Sequence, residues 1–137
     1  MNGKRILVVE ANPIHARALS KKLASAGYSV LKAVDGSEAI GTVRKEKPDM
    51  IVVDTTFPPD VAHGGGVSWD GLLIIEWLHR MDEAQGTPVI LICGNDTAQY
   101  QKRSLANGVV AIFQKPVDDD ELLSAIDKIL NTESQKP

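Results

Sequence analysis

Five short apolar runs punctuate the chain: Arg5–Glu10 (RILVVE), Tyr28–Val34 (YSVLKAV), Met50–Asp54 (MIVVD), Pro88–Cys93 (PVILIC) and Val109–Gln114 (VVAIFQ). The first, third and fourth are nearly unbroken Val, Ile and Leu, the pattern of strands covered on both faces. Amphipathic stretches separate them. In Pro13–Ala26 the residues Ala16, Leu19, Leu23 and Ala26 recur at steps of three and four, which predicts one apolar helical face. Asn12 before Pro13 reads as an N-cap followed by a first-turn proline, and Gly27 closes that helix. Ser37–Glu46 carries Ala39, Ile40 and Val43 and stops before Pro48; Gly71–Met81 carries Leu72, Ile74, Ile75, Trp77 and Leu78. A helix over Thr97–Asn107 rests on only Ala98, Tyr100, Leu105 and Ala106. The last helix starts at Asp118, has Glu121 three residues on, and buries Leu122, Ile126 and Ile129. Strand and helix alternate five times, so the expected fold is α/β: a five-stranded parallel sheet with helices on both faces. The domain is expected to span residues 1–130, with 131–137 as a polar tail.

Composition narrows this picture. At 137 residues, 43% hydrophobic and 24% charged, the chain suits one globular domain. The net charge of −3 argues against a direct nucleic-acid surface. No apolar run reaches bilayer length, and the N-terminus enters a strand without a signal-peptide pattern. A single cysteine, Cys93, excludes an intrachain disulfide framework and suits a reducing compartment. The expectation is a cytoplasmic protein with no membrane partner.

Ligands of an open parallel sheet collect outside the carboxyl ends of its strands. Those ends read Glu10, Asp54, Cys93 and Lys115. Each has a bland explanation alone, since Asp often precedes a turn and Lys is usually solvated. Together they place two acids and a lysine at one edge, where burial makes an unpaired charge costly.

The order LVVE, VVD, DGL and KP, at these places in the strand pattern, resembles the response-regulator receiver domain over about Lys4 to Leu130. No one of these motifs is specific; their order and placement are. The resemblance implies a flavodoxin-like doubly wound sheet of order 2-1-3-4-5. It implies that Asp54 accepts a phosphoryl group from a histidine kinase or a histidine phosphotransfer protein, the carboxylate acting as nucleophile with Mg²⁺ as cofactor. Glu10, Asp54 and the Thr56 carbonyl then match the metal positions. Lys115 matches the lysine on the phosphoryl oxygen, Cys93 the switch hydroxyl position, and Pro116 a proline preceded by a cis bond. A downstream protein would meet the face formed by the 97–107 helix, the fifth strand and the last helix. A homodimer through that region is a family habit that nothing in these residues demands.

Four positions depart from the family pattern. Ala11 stands where the second metal-binding acid is expected, which puts Mg²⁺ affinity in doubt; Asn12 or a re-aimed Glu10 is a partial substitute at best. Cys93 replaces a hydroxyl with a weaker donor, and its bland role is that of a small buried hydrophobe rather than a redox sensor. Ile112 occupies the aromatic switch position. The Thr55–Trp69 loop has fifteen residues against a usual roughly 2–6, and is either functional or a tolerated insertion. The acceptor is thus expected to work inefficiently. The alternative is a pseudo-receiver that docks proteins without phosphate, and a more distant one is a small flavin enzyme. The segment His63-Gly64-Gly65-Gly66 resembles an esterase oxyanion loop but lacks its partner G-x-S-x-G elbow. The first strand-to-helix loop lacks the glycines of a dinucleotide site. A metal site from Asp60, His63 and Asp70 is conceivable, although loop residues of these types are usually solvated.

Overall fold

The computed structural model describes residues 4–54, 71–93 and 108–134. Its elements are β1 (Arg5–Val9), α1 (Pro13–Ser25), β2 (Ser29–Ala33), α2 (Gly36–Glu46), β3 (Met50–Asp54), α3 (Gly71–Arg80), a 3₁₀ turn (Asp82–Ala84), β4 (Val89–Cys93), β5 (Val109–Gln114) and α4 (Asp119–Ser134). All strand pairings are parallel, in the order β2-β1-β3-β4-β5. The expected doubly wound sheet is therefore present. The expected 97–107 helix and the Thr55–Trp69 loop lie outside the described residues.

Because successive strand residues point to opposite faces, the continuous apolar runs feed two cores at once. Leu7, Val9, Ile51, Val53, Leu91 and Cys93 pack with Ala39 and Val43 of α2 and Ile74, Ile75 and Leu78 of α3. On the other face Ile6, Val8, Met50, Val52, Ile90 and Ile92 pack with Leu23 of α1 and Leu122, Ile126 and Leu130 of α4. Strands β3 and β4 are buried throughout, whereas the edge strands β2 and β5 are only partly buried and each exposes two residues. Ile129, expected in the core, lies only partly buried at its margin, and Leu130 takes the inward position. Helix α4 runs on to Ser134, into the stretch the sequence pattern leaves as tail.

Local signals explain the element boundaries. Asn12 Oδ1 accepts the backbone N–H groups of Ile14 at 2.9 Å and His15 at 3.3 Å, so α1 starts at Pro13. Gly27, at φ 100°, takes the left-handed turn that leads back to β2. Asp35 caps α2 through Glu38 N, and Asp118 caps α4 through Glu121 N. Arg5 closes the other end of α2, with its guanidinium donating to the carbonyls of Glu46 and Lys47. These caps fix where each helix meets the sheet, and thereby what projects over its carboxyl edge.

Candidate functional site

Three elements deliver charge to that edge. Glu10 follows β1, held by its N–H to the Ala33 carbonyl at 2.9 Å. Asp54 ends β3, in register with Ile92 of β4. Lys115 follows β5, and its backbone N–H donates to the Cys93 carbonyl at 2.8 Å. Lys115 Nζ lies 2.6 Å from Asp54 Oδ2. Glu10 and Asp54 are 6% and 4% exposed, the buried charged residues of the described chain. An ammonium against a buried carboxylate lowers the cost of burying either, so the pair holds Lys115 over the carboxyl edge of the sheet. The Lys115–Pro116 bond is cis, as the resemblance implies.

Glu10 sits differently. One carboxylate oxygen accepts the Asn12 backbone N–H at 3.2 Å, and the other lies 3.8 Å from His15 Nδ1. Burial, and then a hydrogen bond and charge repulsion from Asp54, push its pKa from 4.5 up to about 7; the Asn12 N–H and Lys115 pull the other way. Two carboxyl groups thus converge with one cation. Ala11 adds only a methyl group, and the Asn12 side-chain oxygen is committed to capping α1, so Asn12 does not stand in for the missing acid. Among the described residues no group of three metal-ligating side chains is present. Glu10 and Asp54 remain as two hard oxygen donors side by side.

The cleft over this edge has a volume of about 310 Å³ and is bounded by α1, β4 and α4. Ala18, Leu19, Ile92, Val117 and Leu122 make its apolar wall, while His15, Lys22 and Asp119 join Glu10, Asp54 and Lys115 as its polar groups. Lys22 Nζ bridges to Asp119 Oδ2 at 2.7 Å, which links α1 to α4 at the rim, and that contact raises the lysine's pKa. His15, Lys22 and Asp119 are absent from the sequence-derived candidates. His15, Leu19 and Lys22 follow i, i+4, i+7 spacing, a signal that a search confined to strand ends passes over.

The other candidates fall as follows. Cys93 is fully buried in the core with its thiol away from solvent, the small-hydrophobe role, and it touches the site through its backbone carbonyl. Ile112 packs half-buried against the α2–α3 core. Thr56 lies outside the described residues, as do Asp60, His63, Gly64–Gly66 and Asp70. No helix among the described residues is long and apolar enough to cross a membrane.

Comparison with known proteins agrees with this geometry. The family model described as the response regulator receiver domain matches residues 6–127. Protein PilH of Pseudomonas aeruginosa is 29% identical over 126 residues, which cover 92% of this chain and 97% of PilH. Some other relatives are longer, and the chain spans only 26% of their length. Among solved structures, a CheY-like response regulator receiver domain protein from Methanospirillum hungatei superposes with a TM-score of 0.83 at 24% identity, covering 98% of both chains. The receiver domain of sensor histidine kinase PA1611 from P. aeruginosa, with a magnesium ion coordinated in its active-site cleft, gives 0.76 at 25% identity over 92% of this chain and 96% of its own.

Proposed function

The chain belongs to the response regulator receiver domain family of two-component signalling, and on that premise we propose that Asp54 accepts a phosphoryl group from a histidine kinase or histidine phosphotransfer protein and signals by a conformational shift. The observation that carries this reading is the pairing of buried Asp54 with the partly exposed Lys115, 2.6 Å apart at the carboxyl edge. A carboxylate oxygen of Asp54 attacks phosphorus, the P–N bond of the phosphohistidine breaks, and the departing imidazole keeps the electron pair and takes up a proton. Lys115 then moves its ammonium from the free carboxylate to a phosphoryl oxygen, so the charge it neutralises stays constant through the transfer. The apolar wall of Ile92, Val117 and Leu122 limits water at the acyl phosphate, where hydrolysis would erase the signal.

Receiver domains bind Mg²⁺ in this cleft. Glu10 and Asp54 fit such an ion as far as two carboxylates go, because Mg²⁺ commonly takes one or two with waters and phosphate oxygens. When bound, it would offset the charge on the transferring phosphoryl oxygens. Ala11 contributes no oxygen, so transfer is expected to be slow and Ala11→Asp to speed it. The downstream partner is read as docking on the face of residues 97–107, β5 and α4, in a cytoplasmic setting.

The test is intact mass after incubation with acetyl phosphate and Mg²⁺. One phosphoryl mass is expected on the parent chain and none on Asp54→Asn. Absence of the adduct on the parent chain, even at high Mg²⁺, would sink this reading in favour of phosphate-independent docking, the second reading that Ala11 favours.

A further inference from the structure

Helices α2 and α3 pack side by side on the sheet face opposite α1 and α4. Two residues of their outer surface run against what an isolated helix pair favours. Gly41 is exposed in the middle of α2, and a Cβ there would meet nothing within 4 Å. Glycine is the least favourable helix residue after proline, and neither a close contact nor a left-handed backbone calls for it at this position. Trp77 of α3 is 44% exposed, the one aromatic among the exposed large hydrophobic residues described.

Both residues belong to one seam. His79 lines a cavity with Val89, Gly108 and Val110, on the β4–β5 side of α3. Trp77 lies about 200° from His79 around the helix, so it turns to the other side, where α2 packs. Ile40 of α2 is half-buried against the shared core, and Gly41 and Arg44 stand beyond it toward solvent. A glycine there opens α2 to close approach by another backbone, while an indole beside it offers the kind of anchor that dominates binding interfaces.

Charge selects the occupant. Arg44, Lys45 and Lys47 close α2 and Arg80 closes α3, all four exposed. Of the acids on the two helices, Glu46 is held by Arg5, which leaves Glu38 and the half-buried Glu76. In a chain of net charge −3, this surface is therefore basic. Cations in a last turn also complement the helix dipole; that accounts for their position, and for neither Gly41 nor Trp77. We propose that the α2–α3 face docks an acidic amphipathic helix of a second protein, with its apolar side against Trp77 and Ile40 and its carboxylates against Arg44, Lys45 and Arg80. The sheet separates this face from α1 and α4, which bound the Asp54 cleft, so the docking does not rest on phosphoryl transfer. Nor is it the side on which the family resemblance places a downstream partner.

The test titrates the full chain, ¹⁵N-labelled, with a synthetic helical peptide of about four turns, carrying Leu along one face and Glu along its margins. Backbone signals of α2 and α3 are expected to move while those of α1 and α4 stay. In a Trp69→Phe background the Trp77 emission should shift to the blue. The same peptide with Lys in place of Glu should bind roughly tenfold more weakly, and Arg44→Glu with Lys45→Glu should invert that preference. Trp77→Ala should weaken binding at least roughly tenfold. Gly41→Ala keeps the proposal falsifiable if that variant fails to fold: its denaturation midpoint should rise while its affinity falls several-fold. A glycine without a partner would raise the midpoint and leave the affinity alone, which would overturn the proposal. So would an absence of shifts on α2 and α3, or equal affinity for the Glu and Lys peptides. Concentration-dependent shifts of the same residues without peptide would assign the face to a second copy of this chain and overturn it as well.

Discussion

Glu10, the residue after β1, is almost fully buried, with a second carboxylate as its hydrogen-bond partner. Folding therefore makes its proton harder to remove, moving the pKa from 4.5 to about 7. The unfolded chain releases that proton near 4.5, so between the two values the folded state binds more protons. The stability this residue supplies is complete below about pH 4.5 and is lost as pH rises to about 7. Metal-free protein is expected to show that decline in urea midpoints, and Glu10→Gln to flatten it. A carboxyl ¹³C titration placing Glu10 near 4.5 would refute the argument. At this scale the sequence is informative where chemistry sits at strand ends: Glu10, Asp54 and Lys115 are all legible from the ends of apolar runs. His15, Lys22 and Asp119 are not, because their arrival at the cleft depends on helix rotation and side-chain reach, which strand periodicity does not encode.

Among the elements, α1 does two tasks. Its Asn12 cap sets the helix start, and its His15–Leu19–Lys22 face forms one side of the cleft. Asn12→Ala removes the side-chain acceptor of two backbone N–H groups and should cost about 1 kcal/mol. The Asn12 backbone N–H still donates to Glu10 in that variant, so chemical denaturation should show the loss while the Glu10 titration stays in place. Caps and breakers are short-range effects, which is why Asn12, Gly27, Pro48 and Asp118 mark boundaries in the sequence within a residue or two of the structure. The end of α4 at Ser134 is less legible, since Asn131–Ser134 offers neither an apolar face nor a stop signal.

At the scale of the whole molecule, each strand serves two cores, and the site hangs from one end of the sheet between them. Truncating one core should therefore lower stability without redesigning the proposed acceptor edge. Ile126→Ala on α4 is expected to cost roughly 2–5 kcal/mol, while Asp54 of the folded fraction still takes up acetyl phosphate at the parent rate. A matching fall in that rate would show that α4 packing and the acceptor are coupled. The sheet's order follows from topology rules once five strand–helix units are recognised, whereas the packing of α1 beside α4 is a three-dimensional outcome that no window of sequence contains.

The two margins of the sheet are unequal guardians against misassembly. β2 is five residues long and presents Ser29 and Lys32 to solvent, a charge that discourages a foreign strand from adding there. β5 reads VVAIFQ, without a charge or a proline, and its Val110 is 50% exposed. Such a segment is a template for cross-β growth whenever the molecule loosens. Fibrils or amorphous aggregate formed on mild heating should nucleate at β5, and Val110→Lys should lengthen the lag several-fold in thioflavin fluorescence while the denaturation midpoint moves little. The lifetime of this protein in solution would then be set by the edge strand next to Lys115, and only secondarily by the depth of either core.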